Sequence, residues 1–162
     1  GVIRVESAPG QGTTFFIRLP ASSNKDQAGD AGELNSAGEA KLNILVIDDE
    51  PDVADLISEI LRNDGHRVTC ADSGTMALRE IARHTFAVVL SDLNMPGLDG
   101  ADLFEKLSEH NPELVNRIAF VTGDTMSPKA QTFLSRAGRP YLEKPIRPGE
   151  LRQLVAQLVS AN

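Results

Sequence analysis

LNILVIDDEPDVADLISEILRNDG (residues 42–65) sets the reading of the whole chain. Its first seven residues are a short apolar run rich in Ile and Val, as expected of a strand buried on both faces. Beyond DDEPD, Val53, Leu56, Ile57, Ile60 and Leu61 recur at helical spacing, and Gly65 supplies a stop. The same alternation repeats to the end of the chain. HRVTCA (66–71) reads as a second strand, and SGTMALREIARH as a helix capped by Ser73 with Leu78, Ile81 and Ala82 inward. FAVVLSD (86–92) is the most apolar strand and belongs at the centre of the sheet; a helix from Gly100 to Glu109 and the strand RIAFVTG (117–123) follow. SPKAQTFLSRAG is a helix with Phe133 and Leu134 inward and Gly138 at its C-terminus, PYLEK (140–144) a short fifth strand. PGELRQLVAQLVSAN closes the series as an amphipathic helix on Leu151, Leu154, Val155, Leu158 and Val159. Five β-α repeats require right-handed crossovers and an α/β fold, a parallel sheet with helices on both faces.

Composition is that of a globular chain: 162 residues, 41% hydrophobic and 24% charged. No run approaches the ~18–20 apolar residues of a membrane-spanning helix. The net charge of −7 argues against a nucleic-acid-binding face, which needs clustered Lys and Arg. Residues 1–41 are close to neutral, so the acidity lies in the larger segment, where a concentrated acidic site suits a hard cation. Cys70 is the one cysteine, which excludes a disulfide or thiolate metal site within the chain. A small buried side chain in a reducing, cytoplasmic setting accounts for it.

In an open parallel sheet the functional site lies outside the carboxyl ends of the strands. Here those ends carry Asp48-Asp49-Glu50, Ser91-Asp92, Thr122-Gly123 and Lys144-Pro145. Asp48, Asp49 and Asp92 converge, and like charges at short range cost energy unless a cation intervenes. With no His or Cys nearby they form a hard oxygen site that suits Mg²⁺. Asp48 and Asp49 can instead serve as helix N-caps before Pro51. Asp92 reads either as a solvated turn residue or as a carboxylate nucleophile that forms an acyl phosphate. Attack on a phosphoryl dianion needs its charge neutralised, a role open to the metal and to Lys144, which otherwise is a surface lysine. Thr122 can cap the next turn or donate to a phosphoryl oxygen.

D-D after the first of these strands, S-D-L-N-M-P-G-L-D-G after the third, T-G after the fourth and Y-L-E-K-P at the fifth together resemble the response-regulator receiver domain. The resemblance covers residues 42–162, and the separations of 43, 30 and 22 residues between Asp49, Asp92, Thr122 and Lys144 match that family's pattern. It implies a flavodoxin-like doubly wound (βα)5 fold with strand order 2-1-3-4-5. It also implies that Asp92 takes a phosphoryl group from phosphohistidine. Asp49 is then the direct Mg²⁺ ligand, Asp48 binds largely through water, and the backbone carbonyl of Asn94 completes the protein ligands. Thr122 and Lys144 match the switch hydroxyl and phosphate-pairing lysine, Tyr141 the aromatic switch position or else a rim-packing tyrosine. A cis bond is implied between Lys144 and Pro145. Asn94 and Asp124 match positions that tune acyl-phosphate lifetime, and their polar and acidic character predicts faster self-dephosphorylation. The implied partners are a phosphohistidine donor, docking on the helix that bears Pro51, Ala54 and Leu56, and an output partner or second copy. The latter would meet Lys129–Arg136, Tyr141 and Arg147–Arg152.

A haloacid-dehalogenase-type phosphohydrolase would have an acid two residues past its nucleophile; Asn94 stands there and cannot protonate a leaving group. No G-x-G-x-x-G follows the first strand, against a dinucleotide site. A degenerate receiver kept for binding alone would not retain the complete acidic, hydroxyl and lysine set.

Residues 21–41 are Ala, Gly, Ser, Asn and charges, with Leu34 as the sizeable apolar residue, so they are expected to form a flexible linker. Before them, GVIRVESAPGQGTTFFIRLP (1–20) alternates in two runs around APGQG. Ile3 and Val5 share one face, as do Phe15, Ile17 and Leu19. This stretch resembles the closing strands of a histidine-kinase ATP-binding domain, without the asparagine-bearing and glycine motifs that would hold Mg²⁺-ATP. The expectation is therefore a piece of a hybrid sensor histidine kinase, with no ATP chemistry of its own and a terminal segment that is disordered or borrows a strand partner. A free-standing response regulator is the alternative.

Overall fold

The structure is a computed structural model that describes residues 2–8, 12–18 and 41–160, in two units, Gly1–Glu39 and Ala40–Asn162. In the first unit β1 (Val2–Ala8) pairs antiparallel with β2 (Gly12–Arg18), in a register that sets Ile3 opposite Ile17 and Val5 opposite Phe15. The expected linker, apart from Lys41, and the expected role of Leu19 lie outside the described residues.

The second unit runs β3 (Asn43–Ile47), α1 (Pro51–Asn63), β4 (Arg67–Ala71), α2 (Gly74–Arg83), β5 (Val88–Ser91), α3 (Gly100–His110), α4 (Pro112–Val115), β6 (Ile118–Thr122), α5 (Pro128–Ala137), β7 (Tyr141–Glu143) and α6 (Pro148–Ser160). The five strands form one parallel sheet in the order β4-β3-β5-β6-β7, which is 2-1-3-4-5 counted from β3. This is the flavodoxin-like doubly wound arrangement that the sequence implied.

Alternation along the central strands builds two cores. Leu45, Ile47, Val89, Ile118 and Phe120 face α2, α3 and α5, whereas Ile44, Val46, Val88, Leu90 and Val121 face α1 and α6. On the first side Phe104, Phe120 and Phe133 meet edge to face at centroid distances of 5.1–6.0 Å, the geometry that aromatic quadrupoles favour. Side-chain oxygens of Ser73, Asp99 and Ser127 accept amide protons at the starts of α2, α3 and α5. Gly138 ends α5 in the left-handed region (φ 60°), where a Cβ would be strained.

Several side chains depart from their expected placement. Val159 (42% exposed) sits on the outer edge of its helix and Ala82 is exposed; Ala54, expected in a docking face, is buried, whereas Leu56, expected beside it, is 46% exposed. Ala54 and Ala77 are buried in their helices, because a helix lying flat on a sheet admits small residues along its line of closest approach. Cys70 is only half-buried: β4 is an edge strand, and its thiol packs under α1 with Sγ 3.0 Å from Ser58 Oγ. The four-residue α4 is an addition that periodicity over so short a span does not reveal.

Candidate functional site

Three of the strands that the site uses are each followed by a residue still held in the sheet ladder. Asp48 N–H donates to Ala71 O (3.1 Å), Asp92 N–H to Ile47 O (2.7 Å) and Lys144 N–H to Thr122 O (3.0 Å). These three side chains therefore stand on backbone held at the carboxyl edge, Asp48 and Asp92 on the adjacent strands β3 and β5 and Lys144 beyond β6 on β7.

Asp48, Asp49 and Asp92 come together, each offering a carboxylate oxygen within 4.8 Å of the others. Asp48 and Asp92 are 3% and 5% exposed, and Asp49 opens to solvent. Neither Asp48 nor Asp49 is the N-cap of α1. That position falls to Glu50, whose side chain makes no cap hydrogen bond, and Asp48 Oδ1 accepts the Glu50 amide at 3.0 Å.

Lys144 spans the cluster from its buried side. Its Nζ donates to Asp92 Oδ2 at 3.1 Å and to Glu50 Oε1 at 3.0 Å. Asp48 Oδ2 is also 3.0 Å away, an ion pair that falls off ideal hydrogen-bonding geometry. Burial is the largest single influence on the lysine and opposes its charge. Contacts with Glu50, Asp48 and Asp92 and the Asp92 charge together outweigh it and hold the ammonium pKa above the ordinary lysine value. Burial likewise dominates at Asp48, raising its pKa against the Glu50 amide and Lys144, which lower it; the Asp92 charge adds to the rise. Three carboxylates gathered within 4.8 Å, two of them buried and answered by one ammonium, make an all-oxygen set that fits a divalent cation of the Mg²⁺ type.

Asp92 is also fixed by its own loop, because Oδ1 accepts the amides of Leu93 (2.6 Å) and Asn94 (3.3 Å). Gly100 makes this possible, since a Cβ there would lie 2.3 Å from the Asp92 carbonyl oxygen. Thr122 is fully buried, and its Oγ1 accepts the Asp124 amide at 3.2 Å, which leaves the hydroxyl proton free for another acceptor. Asp124 Oδ1 accepts the Ser127 amide at 2.9 Å; hydrogen bonds from the Ser127 side chain and backbone lower its pKa. Asn94 and Asp124 flank one small cleft with Ser127 and Lys129, while Tyr141 stands half-exposed on β7. The Lys144–Pro145 bond is cis.

Sequence reasoning missed Glu50, Gly100 and Ser127. Glu50 was in plain view as the third acid of its run, yet nothing in one dimension links it to a lysine 94 residues away.

Among the described residues no helix is long and apolar enough to cross a membrane. The family profile described as response regulator receiver domain matches residues 44–156. Sensor protein EvgS of Escherichia coli K12 is 31% identical over 160 residues, which is 98% of this chain and 13% of that protein. Virulence sensor protein BvgS of Bordetella bronchiseptica is 32% identical over 94% of this chain and 13% of its own length. The chain thus spans about an eighth of these two sensor proteins. A 14.6 kDa protein of Leptolyngbya boryana is 35% identical over 73% of this chain and 90% of its own. Among solved structures, a CheY-like receiver domain protein from Methanospirillum hungatei superposes with a TM-score of 0.68 at 27% identity, covering 75% of this chain and 96% of that one. By profile, fold and the acids gathered at its sheet edge, this chain belongs to the response regulator receiver domain family.

Proposed function

We propose that Asp92 is a phosphoacceptor served by phosphohistidine, and that the domain works within a hybrid two-component sensor kinase. The observation that carries the first part is the placement of a buried aspartate against a buried ammonium, with two further carboxylates beside it. A carboxylate oxygen of Asp92 attacks phosphorus, the P–N bond to the donor imidazole breaks, and the ring leaves with the bonding electron pair. Bound by Asp48, Asp49, Asp92 and the Asn94 carbonyl, Mg²⁺ would supply positive charge to the phosphoryl oxygens. Lys144 neutralises the charge from the opposite side, and the Thr122 hydroxyl proton is available to a phosphoryl oxygen. Movement of Thr122 toward that oxygen opens room for Tyr141 to swing in from its exposed position, altering the face formed by α5, β7 and α6. Asn94 and Asp124 line the approach of a hydrolytic water and set the lifetime of the acyl phosphate.

The kinase context is supported by the extent of the similarity. EvgS and BvgS align over 98% and 94% of the chain, into the first forty residues, whereas the Leptolyngbya protein aligns over 73%. Residues 1–20 are then the closing strands of a kinase ATP-binding domain, 21–41 a linker, and the setting cytoplasmic.

The test is incubation with Mg²⁺ and acetyl phosphate, with Asp92→Asn as control. Labelling is expected in the parent protein and not in the variant or without Mg²⁺. Labelling that survives the substitution overturns the assignment.

A further inference from the structure

Glu50 occupies the N-cap of α1 without capping it. Its carbonyl accepts the amides of Val53 and Ala54 at 3.1 Å, but its carboxylate turns away from the helix. It reaches Lys144 instead, Oε1 to Nζ at 3.0 Å. The Glu50 side chain is 63% exposed and that of Lys144 is 15% exposed, so the pair runs from the open rim to the floor of the site.

An ammonium group has three N–H donors. In this structure one goes to Asp92 and one to Glu50, with Asp48 Oδ2 close by. A phosphoryl group on Asp92 would bring about two negative charges and three acceptor oxygens to the same place. Those oxygens then compete with Glu50 and Asp48 for the one ammonium, beyond the contact that Asp92 itself gives up. Asp48 is 3% exposed and water cannot replace its contact, whereas Glu50 is already largely hydrated.

We infer that Glu50 is a positioning residue that competes with the phosphoryl group for Lys144 and thereby lowers the stability of the phosphorylated state. This rests on Asp92 being the phosphoacceptor. Glutamine at this position keeps the shape and an acceptor oxygen but removes the charge, so Lys144 transfers more readily to the phosphoryl oxygens.

The experiment uses the full chain with Mg²⁺. Acetyl phosphate labelling of the parent protein at Asp92 comes first; its absence removes the phosphoacceptor reading and this inference with it. Beryllofluoride, a phosphoryl mimic, is then titrated into the parent, Glu50→Gln and Glu50→Ala proteins and followed by amide NMR shifts. Both variants are expected to half-saturate at about two- to fivefold lower concentration, the range spanned by an exposed ion pair. In a Lys144→Ala background the same substitutions should leave the midpoint unchanged, because no ammonium remains to compete for. With Asp92 labelled in the parent, unchanged or weaker beryllofluoride binding by both variants overturns the role of Glu50 alone. An equal gain with and without Lys144 also overturns it, since the effect would then come from bulk charge.

Discussion

Lys144 Nζ lies 3.1 Å from Asp92 Oδ2, a contact between residues 52 positions apart. It pairs the side chain that β5 delivers with the one that β7 delivers, and both are largely shielded from water. Removing the ammonium leaves Asp48 and Asp92 facing each other without a protein counter-charge. Lys144→Ala is therefore expected to slow Asp92 labelling by acetyl phosphate by about ten- to a hundredfold, the scale of a hydrogen bond to a charged group. Initial labelling rates measure this; an unchanged rate would remove Lys144 from the chemistry.

Asp48 should carry a stability cost that the site needs. Burial, the largest influence, raises its pKa in the fold above the unfolded value. The folded state therefore binds the proton more tightly, and ionising Asp48 lowers stability as pH climbs from the ordinary carboxyl value through the folded pKa. Without divalent cation, Asp48→Asn should be more stable than the parent by about 0.5–2 kcal/mol at neutral pH. The advantage should vanish below about pH 4, where the carboxyl is protonated in both states. Urea unfolding across this range gives the answer, and a variant less stable at neutral pH would contradict it.

Gly100→Ala should damage the site without touching a functional side chain. Its Cβ would sit 2.3 Å from the Asp92 carbonyl oxygen and 2.9 Å from Leu93 Cα, both backbone atoms that cannot turn aside. A destabilisation of about 1–3 kcal/mol is expected, together with slower labelling as the Asp92 loop is pushed away. Thermal melts and labelling rates read the two effects.

Ser127 serves two neighbours. Its hydroxyl accepts the Ala130 amide at 3.2 Å, and its amide and side chain hold Asp124. Ser127→Ala should cost about 1 kcal/mol as a lost cap. It should also move the Asp124 pKa up toward the ordinary carboxylate value, which carboxyl-carbon NMR titration would detect.

The fold was legible because its signals are local. Apolar runs such as LNILVID and FAVVLSD, the helical spacing in PDVADLISEILRN, and Gly138 each act within a few residues. The errors fell at helix edges. Ala54, Ala82 and Val159 are placed otherwise than expected, because how far a helix rolls on its sheet is decided by partners distant in sequence.

The site divides in the same way. Which residues stand at the carboxyl ends of the strands is readable in one dimension, because the β-α alternation dictates where each strand stops and open parallel sheets carry their sites at that edge. Asp48, Asp49, Asp92, Thr122 and Lys144 were identifiable on that ground. How they share their contacts was set by the packed fold. It placed Lys144 between three carboxylates, paired the buried Asp48 with it, and left Glu50 at the start of its helix without a cap hydrogen bond. Those outcomes depend on distances between strand ends gathered at one sheet edge and far apart in the chain. Hydrogen bonding and charge act over a few ångströms of space, whatever the separation in sequence.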